Sequence, residues 1–137
     1  MPDPDYQDDR TIPDSERLLR RIFPGWYVPD PKVVLGRRVT SQAFQNASNG
    51  TGMSVHLASV LASLGLADQS VLRGYDGYGL AQITAGLARQ WGQRLARRPE
   101  PDWPAHAEVL GNKAKPVQRA FAAAAKVLIE PIQPSGT

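Results

Sequence analysis

The chain has no cysteine among its 137 residues, so neither a disulfide nor a thiolate-held metal can brace its fold. Buried apolar surface has to do that work. Hydrophobic residues make up 42% of the chain. A domain of this length buries roughly two thirds of its unfolded surface, so one domain of ordinary size is expected. No run approaches the ~20 apolar residues of a membrane-spanning helix. No basic start leads into an apolar stretch, as a secretory signal would. The expectation is a soluble, cytoplasmic protein with no membrane partner.

The formal charge of +3 is unevenly placed. Residues 1–13 hold Asp3, Asp5, Asp8 and Asp9 against Arg10, a net −3. The remaining chain is +6. The proline-spaced acidic segment 1–13 reads as an extended arm, laid on the basic body or on a neighbouring chain. Residues 14–130 read as one domain. Residues 131–137, with Pro131 and Pro134, read as an irregular tail.

Apolar spacing predicts about four helices. The first follows Asp14 as cap and carries Leu18, Leu19, Ile22 and Phe23 up to Pro24-Gly25. The second runs from Met53 to Leu64 with Ser54 as cap, a stripe of Leu57, Val60, Leu61 and Leu64, and Gly65 beyond its end. A third carries Leu80, Ile83, Leu87 and Trp91, with a strand through Tyr78 and Leu80 as its rival. The last opens at Lys115-Pro116, since proline suits a first helical turn, and buries Val117, Phe121, Ala124 and Leu128. Short strands are expected at Trp26-Tyr27-Val28, within Lys32–Thr40, at Val71-Leu72 and at Ala105–Leu110. Asn46–Gly52 and Arg94–Pro104 read as loops, and Asp76-Gly77 as a tight turn. The expected class is α+β, with a short mixed or antiparallel sheet.

Few residues suggest chemistry. His106-Ala107-Glu108 has the H-x-E form of zinc deaminases, but their P-C-x-x-C partner is missing, so no metal or cofactor is expected. On a strand, His106 and Glu108 would share a face. His56, on the face of Ser59 and Ser63 in the second helix, reads as exposed and without a role. Ser41, at a strand end, lacks a nucleophile elbow. The glycines from Gly74 to Gly79 follow neither the phosphate-loop nor the dinucleotide pattern. Arg94, Arg97 and Arg98 before Trp103 form a basic cluster able to meet phosphate, as do Lys113 and Lys115 ahead of the last helix.

Thr40-Ser41-Gln42-Ala43-Phe44, Met53-Ser54-Val55, Gly79 through Arg89, and Pro104-Ala105-His106-Ala107 through Gly111 resemble segments of a family of small bacterial proteins marked by a Pro-Ala-His-Ala motif. The resemblance spans about residues 14–131. It implies a bacterial origin and no particular activity, because that family has none assigned. The chain is also similar to small ADP-ribosyltransferase-like domains in the order of an early Arg (Arg20 or Arg21), a strand-end Ser (Ser41) and a late Glu (Glu108). That likeness implies residues gathered around NAD.

Three functions follow as expectations. The first is a protein-interaction module without catalysis, binding a protein partner or itself through the loop aromatics Trp26, Tyr27 and Trp103. The second is an enzyme on a nucleotide or NAD-like ligand, with Arg20 or Arg21, Ser41, His106 and Glu108 converging on one pocket. The third is weak nucleic-acid binding through Arg94, Arg97, Arg98, Lys113 and Lys115.

Overall fold

Leu18 and Leu19 are adjacent in sequence and both fully buried. Neighbours buried on opposite sides suit a strand covered on both faces. In the computed structural model, which describes residues 7–132, they lie on strand β1 (Arg17–Ile22). The expected first helix is therefore a strand. The 1–4 spacing of Leu18 and Ile22 fits a period of two as well as a helical stripe.

The same correction recurs along the chain. Met53–Leu64 divides into β4 (Met53–Leu57) and the short helix α1 (Ala58–Ser63). The third expected helix divides into β5 (Gly79–Thr84) and α2 (Ala85–Gln90), so the rival strand takes its first half. Thr84 caps α2, its hydroxyl accepting from the Leu87 amide at 3.1 Å. The last helix, α3 (Lys115–Ala124), opens at Lys115-Pro116 as expected but stops before Leu128, which lies on β8 (Lys126–Ile129). Within the segment read as a loop lies β6 (Arg94–Arg97). Val71-Leu72 belongs to a 3-10 turn rather than a strand. The strands β3 (Arg37–Val39) and β7 (His106–Leu110) lie within segments read as extended, and β2 (Tyr27–Pro29) overlaps Trp26-Tyr27-Val28 and runs on to Pro29.

The α+β expectation of about four helices is thus overturned. The described residues hold eight strands and three helices, of which only α3 exceeds six residues. Six strands form one sheet in the order β6-β7-β4-β1-β5-β8, and every neighbouring pair is antiparallel. A separate ribbon pairs β2 with β3.

The main sheet is covered on both faces. Leu18, Ile22, Val55 and Ile83 pack in one cluster with Phe121 of α3 and Phe44, whose rings meet edge to face at 6.1 Å. Leu19 and Leu80 pack in the other with Leu61 of α1 and Val71. Gly79 allows β8 to close on β5, because a Cβ there would stand 2.5 Å from the Ile129 carbonyl oxygen.

Residues 1–6 of the acidic arm, with Asp3 and Asp5, and residues 133–137 of the tail lie outside the described residues. The described part of the arm lies on the basic body. Asp8 and Asp14 pair with Arg89 at 2.8 and 2.7 Å, and Asp9 pairs with Arg97 at 3.4 Å. Ile12 is fully buried in the core. No helix among the described residues is long and apolar enough to cross a membrane.

Candidate functional site

The six-stranded sheet parts along one seam. β1 is paired with β4 at Leu18↔Leu57 and Leu19↔His56. Beyond that point β1 stays with β5 as far as Ile22↔Gly79. β4 stays with β7 as far as Met53↔Val109. The two halves of the sheet separate there, and a side chain replaces the missing ladder. Arg20 donates through Nη1 to the Ser54 carbonyl at 2.8 Å and through Nε to the Ala43 carbonyl at 2.9 Å. Burial, reinforced by neighbouring Arg21, lowers the Arg20 pKa to about 10. Arg20 therefore remains a cation at neutral pH.

Arg21 projects from the opposite face of β1. Its Nε donates to the Val71 carbonyl at 2.7 Å. Its guanidinium carbon stands 3.8 Å from the Tyr75 ring centre and 4.5 Å from that of Trp103. Its Nη2 is buried and has no hydrogen-bond partner. Burial lowers the Arg21 pKa, against the opposing pull of Tyr75 and Glu100. Among the described residues no ion pair reaches either Arg20 or Arg21.

A cavity of about 160 Å³ opens at the seam, lined by Arg20, Arg21, Trp26, Ser54, His56, Tyr75 and Tyr78. The turn at Asp76-Gly77, with Gly77 at a φ of +82°, brings the Tyr75 and Tyr78 rings to 5.3 Å. Phe23 continues the rim, 5.8 Å from both Tyr78 and Trp26. Trp103 extends it from Tyr75 at 6.3 Å.

Behind the cavity, Ser54 and His106 form a hydrogen-bonded pair across β4 and β7. His106 Nδ1 is 2.8 Å from the Arg98 carbonyl, which can only accept, so Nδ1 carries a proton. The Glu100 carboxylate lies 3.3 Å from the same nitrogen. In the neutral ring Nε2 is then an acceptor, and it faces the Ser54 hydroxyl at 3.2 Å. Glu108 stands opposite Ser54 in the β4–β7 register, with Arg98 Nε 3.9 Å from its carboxylate.

His56, expected on an exposed helix face, is buried on β4 with neither ring nitrogen hydrogen-bonded. It meets Trp103 at 5.6 Å and His106 at 5.7 Å, ring centre to ring centre. Burial, then the charge of Arg21 and the nearness of His106, lower its pKa to about 3. His56 is therefore neutral at physiological pH.

The remaining sequence candidates lie elsewhere. Ser41 accepts from Lys115 Nζ at 3.3 Å and lines a different, larger groove with Arg37, Arg38, Arg119 and Lys126. It does not line the seam cavity, whereas Arg20 and Arg21 do. Arg97 is engaged with Asp9 and Thr11, and Arg98 with Glu108. Arg94 lines a shallow basin with Asp8 and Arg89. Lys113 turns inward, bonding the Asn46 side chain and the Val109 carbonyl. Burial and nearby Arg20 lower its pKa to about 8. Tyr27 is buried, its hydroxyl 2.5 Å from Glu130, and its pKa rises to about 12 chiefly through burial. It is therefore not an exposed anchor. Trp103 is covered by Arg21 and Arg73, and Trp26 lines the cavity. No group of three His, Asp or Glu able to hold a metal occurs among the described residues.

Comparisons of the chain with protein-family models, curated proteins and solved structures found no match.

Proposed function

We propose that the protein binds a nucleotide-class ligand at the seam of its sheet, with the phosphate on Arg21 and the ring system against the aromatic rim. One observation carries this. Two guanidinium groups line one cavity with no carboxylate in ion-pair contact, and Arg21 Nη2 is buried against the Tyr75 and Trp103 rings without an oxygen acceptor. A desolvated donor with no acceptor costs about 1–3 kcal/mol, a cost that an anion reaching Nη2 past the Tyr75 ring would remove. Bidentate contact with phosphate oxygens is the geometry guanidinium favours. The rim of Trp26, Phe23 and Tyr78 supplies faces on which a planar base can stack. The volume of about 160 Å³ is below the ~300 Å³ of a typical ligand pocket. It suits one phosphate group held inside, with the base lying across the rim.

The likeness to ADP-ribosyltransferase-like domains rests on Arg20 or Arg21, Ser41 and Glu108, and it adds no support here, because neither Ser41 nor Glu108 lines the seam cavity. The docking reading took Trp26, Tyr27 and Trp103 as exposed anchors; of these Tyr27 is buried, while Trp26 and Trp103 are half-exposed. The phosphate-backbone reading is weakened by the partners of Arg97, Arg98 and Lys113.

Titration calorimetry with AMP, adenosine and inorganic phosphate tests the proposal. AMP should bind at least tenfold more tightly than either fragment. Arg21→Gln should weaken AMP by roughly 10- to 100-fold, as expected for a lost hydrogen bond to a charged group. Equal affinity of wild type and Arg21→Gln for AMP would refute it.

A further inference from the structure

We propose that Ser54 is a nucleophile toward phosphorus, with His106 as its general base. This assignment rests on the nucleotide-class ligand proposed above and names the reaction done to it. A serine hydroxyl is a weak nucleophile unless a base is positioned on it, and that base needs a third group to fix its orientation. All three parts are present. Ser54 lines the seam cavity. His106 Nε2 faces its hydroxyl at 3.2 Å, with the acceptor nitrogen turned the right way. The Arg98 carbonyl at 2.8 Å and the Glu100 carboxylate at 3.3 Å hold the far side of the ring. This is the logic of a nucleophile, base and orienting acceptor, met on three adjoining stretches of chain. The Arg98 carbonyl is itself fixed, because the Arg98 amide donates to the His106 carbonyl at 3.0 Å as a continuation of the β6–β7 ladder. Arg21 lines the same cavity and is placed to meet charge on the phosphoryl oxygens.

The reaction balances without a co-reactant other than water. Ser54 Oγ attacks phosphorus, forming an Oγ–P bond as the P–O bond to the leaving group breaks. The hydroxyl proton passes to His106 Nε2 and then to the departing oxygen. Water attacks the phosphoserine in the second half, giving its proton to His106 and restoring the Ser54 hydroxyl as phosphate leaves. The substrate class is a phosphate anhydride of a nucleotide, with the nucleoside monophosphate as leaving group, so AMP binds as a product and is not turned over.

An alkyl fluorophosphonate tests the nucleophile directly. It reacts by forming an Oγ–P bond and releasing fluoride. Labelling of the full chain, located by peptide mass spectrometry, should fall on Ser54 and be slowed by AMP. Ser54→Ala should abolish the adduct. His106→Gln should slow its formation about 100-fold or more, the usual contribution of a general base. Ser41→Ala should label as the wild type does. Calorimetry with AMP on the same preparations separates the two proposals. AMP binding by the wild type with no Ser54 adduct, or with the adduct on another serine, overturns the nucleophile alone. Absence of AMP binding by the wild type overturns the ligand class beneath it.

Discussion

At the scale of single residues, His56 shows most clearly how burial sets chemistry. Its ring is enclosed by Trp103, His106 and strand β4, with no acceptor for a second proton. Its pKa is lowered from 6.5 to about 3 in the folded protein. The unfolded chain therefore binds the extra proton more readily, and stability rises with pH. The His56 contribution is complete above pH 6.5 and is lost as pH falls toward 3. Within that window the slope approaches about 1.4 kcal/mol per pH unit. His56→Phe removes the titrating ring and two unsatisfied polar atoms while keeping an aromatic body. Urea unfolding at pH 7, 6 and 5 should show the variant gaining on the wild type as pH falls. Parallel pH curves for the two proteins would contradict this account of His56.

At the scale of elements, the acidic segment serves as an edge cover. Strand β6 ends the sheet, and an open edge invites pairing with other chains. Here the Asp9 amide donates to the Leu95 carbonyl at 2.8 Å, and the Leu95 amide donates to the Asp8 carboxylate at 3.0 Å. Arg89 of α2 holds the segment in place, reaching Asp8, Asp14 and the carbonyls of Asp9 and Ile12. Its side chain is 13% exposed and that of Asp8 14%, so solvent screens their contact little, whereas Asp14 is largely exposed. Arg89→Ala should cost about 2 kcal/mol, within the range for hydrogen bonds to a charged group. It should also raise hydrogen exchange at the Leu95 amide above that at the Ala107 amide. Unchanged exchange at Leu95 would mean that the edge is protected without Arg89.

At the scale of the whole molecule, the parts legible in sequence are those whose signals are local. Lys115-Pro116 opens α3, Ala105–Leu110 contains β7, and Asp76-Gly77 turns the chain under the tyrosines. Strands β1 and β5 are read as helices because each lies inside the sheet and buries apolar residues on both faces. Such strands lose the alternation that marks a half-exposed strand. The error carries into the site. Read as a helix cap, Ser54 is assigned no chemistry, and His56 is placed on a solvent face. The alternation of Met53, Val55 and Leu57 is the signal that puts Ser54 and His56 together on the other face of β4. Arg20, Arg21 and His106 are legible as candidates. Their meeting with Ser54 depends on three strands distant in sequence, which local patterns do not encode. That Ser41 borders a separate groove is not legible for the same reason, since its position at a strand end does not indicate which cavity it lines.

The seam as an anion site is the claim on which the functional account depends. It is tested most directly by following the Arg21 Nε–H and the Trp26 and Trp103 indole N–H signals by NMR as AMP is added. All three should shift along one saturating curve, while the amides of Ser41 and Arg119, in the separate groove, stay in place. Saturable shifts confined to Ser41 and Arg119, or none at the seam at millimolar AMP, would contradict it.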